Sequence, residues 1–238
     1  MRIILIGHGK MGRMVEETAL AASDEIVAAF DAGNLKELVK QERADVVMDF
    51  SRPEALNEIC AYVRRTGTAL VSGTTGYTDA QMKKLLDLGN CAPVLWSANY
   101  SIGIAVFIRM LSRISDTLKP NFDIEIEETH HNQKADAPSG TAKLLLNAID
   151  PGHELKPVYG REGNCGKRGK AEVGMHALRG GTVAGTHTVH FFGEDEELEI
   201  THRAASRRIF ATGALQMARR VAGRPAGIYD LQRLLFGD

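Results

Sequence analysis

The first hundred residues alternate between continuous apolar runs and amphipathic stretches. Apolar runs at 2–6, 26–30, 44–50, 69–72 and 93–96 predict buried strands. Helical patterns fall between them, at 14–22, 35–41, 54–66 and 79–88. Strands that alternate with helices in this way predict a parallel sheet covered by helices. The expected architecture of this part is therefore a Rossmann-type α/β domain.

The pattern changes after residue 101. A long apolar helix is predicted at 102–118, and residues 123–130 then alternate polar and apolar like a half-buried strand. Residues 172–178, 182–192 and 198–202 alternate like antiparallel strands, and 206–221 return to helix. We therefore predict an α/β protein of two domains. Residues 1–101 and 207–238 form the parallel-sheet domain, and residues 102–206 form an α+β domain with a mixed or antiparallel sheet.

Composition excludes several classes of function. The chain has 238 residues, of which 44% are hydrophobic and 25% charged, with a formal net charge of −1. This balance gives no support for nucleic-acid or membrane-surface binding driven by bulk charge. Three distant cysteines argue against a disulfide scaffold or a zinc site, and no H-E-x-x-H or other tight His/acid grouping suggests a metal. The sparse, unpaired cysteines predict a reducing, cytoplasmic setting. The opening apolar run is too short for a signal-peptide core or a membrane span.

A glycine-rich turn follows the first predicted strand. Gly7, Gly9 and Gly12 have G-x-G-x-x-G spacing and precede a helix, a second strand and then Asp31. Glycines of this kind let the backbone approach a pyrophosphate at a helix N-terminus, and the acid binds ribose hydroxyls. Dinucleotide binding is therefore predicted for this turn and for Asp31. The turn residues concerned are Gly7, His8, Gly9, Lys10, Met11 and Gly12.

Three further loops follow strands of the same predicted sheet. Ligands of open α/β sheets bind at the carboxyl ends of the strands. The loops after the third, fourth and fifth strands are therefore expected to line the nicotinamide half of the cofactor site. The residues expected there are Phe50, Gly73, Thr74, Thr75, Ser97, Ala98, Asn99 and Tyr100.

The cofactor itself is predicted to be a nicotinamide dinucleotide. Asp31 disfavours a 2′-phosphate, and no arginine directly follows it, which favours NADH. Arg13 and Lys36 are positioned in the sequence to help bind NADPH. We expect NADH to work, and the use of NADPH as well stays open.

The densest group of reactive residues lies between Glu128 and Thr141. His130, His131 and Lys134 can exchange protons or bind anions. The segment Ser139–Thr141 predicts a turn that feeds a helix, whose first N–H groups can bind a carboxylate or phosphate. This stretch therefore combines proton donors with an anion-binding helix start.

This stretch resembles the signature of the 4-hydroxy-tetrahydrodipicolinate reductase family, also called dihydrodipicolinate reductases. The matching residues are Glu128, His130, His131, Lys134, Asp136 and the segment from Pro138 to Ala142. The resemblance extends over nearly the whole chain and includes segments 10–13, 49–53, 72–76, 98–103 and 179–187. One departure is the glycine turn, which is one residue shorter than in many members.

The resemblance implies a reaction and a set of roles. The family reduces a cyclic dicarboxylate imine with NADH or NADPH in the lysine and diaminopimelate pathway, and its members are typically homotetramers built through the sheets of the second domain. By resemblance, His130 is the general acid/base and Lys134 the proton donor. His131, Ser139, Gly140 and Thr141 hold the substrate carboxylates, and Glu128 and Asp136 orient their neighbours.

Two other functions remain open from the residues themselves. A nucleotide-sensing regulatory protein would share the dinucleotide fold but would not need the His/His/Lys group. A different dehydrogenase, acting on an aspartate semialdehyde or inositol, would share the architecture. The semialdehyde enzyme would require a nucleophilic cysteine, and Cys91 and Cys165 have no evident adjacent histidine partner.

Overall fold

The computed structural model describes residues 1–237. The chain divides into two compact units. Unit 1 comprises Met1–Ser101 together with the chain from Arg208 onward, and unit 2 comprises Ile102–Arg207. The chain thus returns to unit 1 one residue later than the predicted start at residue 207. Among the described residues, no helix combines the length and apolarity needed to cross a membrane.

The regular elements are numbered in chain order. The strands are β1 (Arg2–Ile6), β2 (Glu25–Phe30), β3 (Val46–Asp49), β4 (Ala69–Ser72), β5 (Pro93–Trp96), β6 (Asp123–His130), β7 (Lys156–Val158), β8 (Glu172–Arg179), β9 (Gly185–Phe192), β10 (Glu197–Ala204) and β11 (Gly227–Tyr229). The α-helices are α1 (Lys10–Ala21), α2 (Leu56–Thr66), α3 (Asp79–Leu86), α4 (Ile102–Leu118), α5 (Gly140–Ile149), α6 (Arg208–Val221) and α7 (Leu231–Phe236).

Unit 1 is built on a parallel sheet with strand order β11-β5-β4-β3-β1-β2. Strands β1, β3 and β4 are almost fully buried, because continuous apolar strands in a parallel sheet contact helices on both faces. The predicted Rossmann-type α/β class is confirmed. Two details differ from the prediction: residues Leu35–Lys40 form a 3-10 helix, and the C-terminal segment adds the edge strand β11 beside β5.

Unit 2 contains a mixed sheet with strand order β10-β9-β6-β8-β7. Helices α4 and α5 pack on one face, where Ile124, Ile126 and Val189 are part of the core. The predicted mixed or antiparallel sheet is confirmed as a mixed one, and β8 and β9 are not paired with each other. Strand β6 lies between them, parallel to β8 and antiparallel to β9. Alternate residues of β6 are buried in the core of the unit.

Candidate active site

The glycine turn after β1 is shaped by close backbone contacts. Gly7 has φ +89°, and a Cβ there would lie 2.4 Å from the carbonyl oxygen of Phe50. A Cβ at Gly12 would lie 1.8 Å from the carbonyl oxygen of Gly7. A side chain at either position would displace the turn, so both glycines are needed to bring β1, α1 and the loop after β3 together.

The N-terminus of α1 has the form of an anion-binding site. Its N-cap is Gly9, which has no side chain to occupy the first N–H groups, and the first turn carries no acidic residue. A Cβ at Gly9 would meet no described atom within 4 Å. The helix therefore offers its first N–H groups and its positive dipole end to open space, as a dinucleotide pyrophosphate requires. Lys10 and Met11 are the first two residues of the helix, and they are exposed and half-buried, respectively.

Two flanking side chains of the predicted dinucleotide set are held locally. Nε2 of His8 lies 2.7 Å from Oε2 of Glu16 on α1. Asp31 directly follows β2 and is exposed, and its Oδ1 accepts a hydrogen bond from Gly33 N at 2.8 Å. The carboxylate of Asp31 is thus oriented by the turn at the end of β2, where the ribose of a dinucleotide is expected.

Asp49, at the end of β3, connects the loops that follow two strands. Its carboxylate is fully buried and accepts hydrogen bonds from Ser51 Oγ at 2.5 Å, Ser72 Oγ at 2.7 Å and Tyr77 Oη at 3.2 Å. Burial raises the pKa of Asp49, and the hydrogen bonds from Ser51, Ser72 and Thr74 only partly offset it. This network holds the loops after β3 and β4 in one arrangement.

The residues predicted to line the nicotinamide half divide into supporting and exposed groups. A Cβ at Gly73 would lie 2.4 Å from the ring of Phe50, so this glycine makes room for the ring. Tyr100 is buried and donates to the Ser72 carbonyl at 2.8 Å, and Thr74 is also buried. Phe50, Thr74 and Tyr100 therefore hold the loops in shape from within.

The other members of that set lie nearer the surface. Thr75 and Ala98 are exposed, whereas Ser97 and Asn99 are half-buried. Ser97 Oγ donates to the carbonyl of Asn99 at 2.8 Å and accepts from its N–H at 3.2 Å, which closes a tight turn after β5. This turn presents main-chain groups at the carboxyl end of the sheet.

Glu128 is the centre of the site in unit 2. It lies on β6 and is 1% exposed. Its Oε2 lies 2.5 Å from Nδ1 of His130, and Oε1 accepts from the backbone N–H of Ser139 at 3.0 Å. The guanidinium of Arg179 donates to both carboxylate oxygens at 2.9 Å. One buried carboxylate thus connects β6, β8 and the start of α5.

The electrostatics of Glu128 follow from these partners. Burial alone would raise the pKa of its carboxyl group. Hydrogen bonds from Arg179, and then from His130 and Ser139, outweigh burial and lower the pKa below its ordinary value. Glu128 is therefore an acceptor with a permanent negative charge at neutral pH, and it orients the ring of His130 with Nδ1–H toward itself.

His130, at the end of β6, and Lys134 belong to one segment, which is hydrogen-bonded to the loop after β8. The carbonyl of His130 accepts from Gly180 N at 2.9 Å, and Asn132 N donates to the Gly181 carbonyl at 3.2 Å. Lys134 Nζ lies 2.7 Å from Oδ1 of Asp136. Hydrogen bonds within the protein therefore position the histidine at the end of β6 and the lysine in the following loop.

The start of α5 is the third part of the site. Ser139 is the N-cap, and its Oγ accepts from Ala142 N at 3.1 Å. Gly140 is the first helical residue and is exposed, and a Cβ there would meet no described atom within 4 Å. Its N–H has no acceptor within the helix, because the first N–H groups of a helix never do. Gly140 and the half-buried Thr141 thus begin a helix that faces open space.

Comparisons with known proteins decide the family. Residues 1–100 match the family model described as "Dihydrodipicolinate reductase, N-terminus", and residues 103–235 match the one described as "Dihydrodipicolinate reductase, C-terminus". The chain belongs to the dihydrodipicolinate reductase family. It is therefore an oxidoreductase of the α/β class.

Relatives named 4-hydroxy-tetrahydrodipicolinate reductase match over nearly the full length. One from Exiguobacterium sp. is 40% identical, with 98% of this chain and 95% of that protein covered. One from Acinetobacter baumannii is 44% identical, with 98% and 94% covered.

Solved structures share the fold of this chain. A dipicolinate-bound dihydrodipicolinate reductase from Paenisporosarcina sp. TG-14 has a TM-score of 0.75 at 24% identity, covering 98% of this chain and 99% of that one. An amine dehydrogenase from Mycobacterium smegmatis has a TM-score of 0.61 at 12% identity, covering 98% and 95%. At these identities both likenesses show the shared fold.

In this dihydrodipicolinate reductase family member, His131 has a partner that sequence reasoning missed. Arg207 Nη2 lies 2.8 Å from Nε2 of His131. Partial desolvation, followed by the positive charge of Arg207, lowers the pKa of His131. Because a guanidinium only donates, Nε2 of His131 accepts this hydrogen bond and the ring is neutral.

Arg179 and His187 were also not predicted as site residues. In the sequence, both residues fall within the family-like segment 179–187, but nothing local to either one assigns it a role. His187 is 4% exposed, its Nε2 lies 3.0 Å from Ser139 Oγ, and its ring meets the ring of His130 edge-on at 5.1 Å between centroids. Both residues reach the site only through the pairing of β8 and β9 with β6.

A group with metal-ligand chemistry lies elsewhere on the sheet of unit 2. His190, Glu197 and Glu199 have ligand atoms within 4.8 Å of one another. Their side chains lie on the sheet face opposite α4 and α5, whereas Glu128 and His187 lie on the helix-covered face. The two glutamates are exposed, and exposed acidic groups are common without a metal. We assign no metal role to them.

Proposed function

We propose that this chain catalyses the NAD(P)H-dependent reduction of 4-hydroxy-tetrahydrodipicolinate, or its dehydrated form, to tetrahydrodipicolinate in lysine and diaminopimelate biosynthesis. The observation that carries the proposal is the buried Glu128, which connects His130 to the start of α5 at 2.5 and 3.0 Å. The same carboxylate thereby positions the residue proposed to exchange protons and the helix start proposed to bind a carboxylate. Reduction of a cyclic dicarboxylate imine requires both.

The proton-transfer roles are proposed for His130 and Lys134. A bound nicotinamide cofactor would supply the hydride that is added to a ring carbon of the substrate. The reduced ring then needs a proton, and the Lys134 ammonium is the donor on the loop that follows β6. His130 is the general acid/base, because Glu128 fixes its Nδ1 and leaves Nε2 as the nitrogen that exchanges a proton. Asp136 orients the Lys134 ammonium at 2.7 Å.

Carboxylate binding is proposed for the start of α5 and for His131. The main-chain N–H groups at Gly140 and Thr141 and the positive end of the helix dipole favour an anion. Ser139 caps the helix, and His131, directly after β6, is held by Arg207. These contacts would recognise the two carboxylates of a ring substrate.

The cofactor is proposed to bind at the start of α1, with NADH as a working reductant. The N-cap of α1 is Gly9, which has no side chain, and the first turn carries no acid, which fits a pyrophosphate. The exposed Asp31 carboxylate favours free ribose hydroxyls over a 2′-phosphate. Arg13 and Lys36 are exposed and would assist NADPH, so both cofactors belong in the assay.

A homotetramer assembled through the sheet of unit 2 is proposed, in the cytoplasm. Helices α4 and α5 occupy one face of that sheet. The opposite face carries Leu178 and Phe192, which are 46% and 40% exposed. Large exposed apolar side chains on a sheet face favour association with another copy.

The test is an absorbance assay of the reduced nicotinamide with enzymatically generated substrate and each of NADH and NADPH. We expect substrate-dependent oxidation, with measurable turnover by NADH. Cofactor binding without substrate-dependent oxidation would instead favour a nucleotide-sensing protein. Turnover only with a different dehydrogenase substrate would favour that class.

A further inference from the structure

Ser139 is surrounded by three hydrogen-bonding groups. Its backbone N–H donates to Glu128 Oε1 at 3.0 Å, its Oγ accepts from Ala142 N at 3.1 Å, and the same Oγ lies 3.0 Å from Nε2 of His187. Ser139 is 2% exposed, so all of these contacts are shielded from water. The hydroxyl proton of Ser139 therefore has to be placed within this group.

Counting donors and acceptors places that proton. If the Ser139 hydroxyl donates to Nε2 of His187, the serine both accepts and donates, and only Nδ1 of the ring lacks a hydrogen-bond partner. If instead Nε2–H donates to the serine, the hydroxyl proton and the Nδ1 lone pair both lack a partner in residues 1–237. The first arrangement leaves fewer buried polar groups unsatisfied and is the favoured one.

The neutral state of His187 agrees with this arrangement. Burial, followed by the neighbouring His130, lowers the pKa of His187 to about 4. The ring therefore keeps an unprotonated nitrogen throughout the neutral range, and Nε2 remains available as an acceptor.

The unsatisfied Nδ1 shows that packing alone does not explain a histidine at this position. His187 Nδ1 is buried and has no hydrogen-bond partner in the described chain. A buried polar group without a partner destabilises the fold, and an aliphatic side chain would avoid that cost. What the imidazole adds is the acceptor for Ser139 and the edge-on contact with His130.

We infer that His187 is a positioning residue that holds the Ser139 hydroxyl away from the substrate and fixes the start of α5, so that main-chain N–H groups of the helix bind the carboxylate. This inference rests on the proposed function and deepens it. Ser139 was predicted to hold a substrate carboxylate. Here its hydroxyl acts inside the protein, and its oxygen and proton are used by Ala142 and His187.

Glu128 and His187 thus hold Ser139 from two sides. Glu128 orients the backbone of Ser139 and also the ring of His130, whereas His187 orients the side chain. Loss of the Nε2 acceptor would let the cap rotate and the first turn of α5 fray. We therefore expect the effect on substrate binding and not on cofactor binding.

The experiment compares two substitutions of His187. In His187→Leu the side-chain volume is kept and the acceptor is lost, whereas in His187→Gln a polar atom remains near the position of Nε2. For His187→Leu we expect the substrate KM to rise about tenfold or more, with kcat changed less than about threefold and the NADH KM unchanged. His187→Gln is expected to restore KM to within about threefold of the wild type. A tenfold change in KM corresponds to ~1.4 kcal/mol.

A double-mutant cycle with Ser139→Ala tests whether His187 acts through the serine. If it does, His187→Leu adds no further rise in KM to Ser139→Ala, because the two residues form one unit. Additive effects, equal impairment of the Gln and Leu variants, or an unchanged substrate KM would each overturn the inference. A melting temperature that falls in step with KM across the variants would also overturn it, since the role would then be stability.

Direct binding separates this inference from the proposed function. Dipicolinate, which is bound in the Paenisporosarcina structure, serves as the probe in titration calorimetry. We expect its Kd to rise about tenfold in His187→Leu and to recover in His187→Gln. The same Kd in all variants overturns the inference even where the wild type turns over substrate. Absence of substrate-dependent turnover in the wild type refutes the proposed function, while the calorimetric comparison still decides the role of His187.

Discussion

Oε2 of Glu128 lies 2.5 Å from Nδ1 of His130. The two residues are separated by one residue on β6, and Glu128 is 1% exposed. Arg179 balances the buried charge through two hydrogen bonds of 2.9 Å. A buried carboxylate keeps its negative charge at neutral pH when it is paired and hydrogen-bonded, whereas burial of an unpaired charge is strongly unfavourable. The hydrogen bonds that connect Arg179, Glu128 and His130 therefore hold the histidine ring in one orientation.

Glu128→Gln is expected to lower kcat strongly. The glutamine amide can donate to Nδ1, which would reverse the tautomer of His130 and leave its Nε2 with the wrong proton. We expect a loss on the order of 10² to 10⁴ in kcat, measured by steady-state kinetics at saturating NADH. Circular dichroism must show a folded protein, because Arg179 loses its charged partner. A folded variant with near-normal kcat would remove Glu128 from the mechanism.

Lys134→Ala tests the proposed proton donor. The ammonium of Lys134 is held by Asp136, an exposed residue of the same loop, at 2.7 Å, so the fold should be retained when the ammonium is removed. We expect kcat to fall by about 10² to 10⁴. Lys143→Ala, an exposed lysine on α5, is the matched control and is expected to leave turnover nearly unchanged. Near-normal turnover of Lys134→Ala contradicts its proposed role.

Gly9→Ala tests the proposed pyrophosphate site without disturbing the fold. A Cβ at Gly9 would meet no described protein atom within 4 Å, but it would occupy the open space before α1. We expect a wild-type melting temperature and an NADH Kd raised about tenfold or more, ~1.4 kcal/mol, in a fluorescence titration. Gly12→Ala is the contrast, since its Cβ would lie 1.8 Å from the Gly7 carbonyl and should lower the melting temperature. Unaltered NADH affinity of Gly9→Ala would place the cofactor elsewhere.

The lowered pKa of Glu125 predicts that unit 2 loses stability in acid. Burial would raise its pKa, but hydrogen bonds from Arg161, His176 and Arg168 lower it from 4.5 to about 2. A carboxyl group with a lowered pKa stabilises the fold above its unfolded pKa. That stabilisation is lost as the pH falls from about 4.5 toward about 2. The contribution is on the order of 2–3 kcal/mol.

The measurement for Glu125 is amide hydrogen exchange of β6 and β8 at a series of pH values. The difference in protection between the wild type and Glu125→Gln should be largest above pH ~5 and should shrink below pH ~3. Trp96, the single tryptophan, lies on β5 and reports unit 1, so its fluorescence is the internal control. A difference that is constant with pH would show that the charge of Glu125 does not matter.

Phe192→Lys tests assembly through the open face of the unit 2 sheet. Phe192 is 40% exposed and stacks on the ring of His190 on that face. We expect light scattering to give a tetramer for the wild type and a smaller species for the variant, since charge on an apolar contact opposes association. Leu86→Lys, on α3 in unit 1 and also 40% exposed, is the control and should leave the assembly intact. A monomeric wild type would refute the tetramer.

The features that can be predicted from sequence are those encoded by neighbouring residues. The order of β1, glycine turn, α1 and β2 follows from local apolar periods and from glycine spacing, and it was confirmed as part of a parallel sheet. The approach of His130, Lys134 and α5 follows from a stretch of fourteen residues that is continuous in the chain. Local steric and hydrogen-bonding rules are sufficient for such features.

Features that depend on pairing between distant strands were decided only by the tertiary structure. Strand β6 lies between β8 and β9, which the alternation of polar and apolar residues does not specify, because that alternation is the same for parallel and antiparallel neighbours. Edge strand β11 is three residues long, and short apolar segments give little periodicity.

The sequence by itself therefore determined the two classes of sheet, the glycine turn and the reactive stretch from Glu128 to Thr141. The tertiary structure decided which residues support that stretch. Arg179 is 51 residues from Glu128, and His187 is 48 residues from Ser139. The physical reason is register: a hydrogen bond across a sheet depends on which strands are neighbours and how they are aligned, and neither is recorded in the residues of one strand alone.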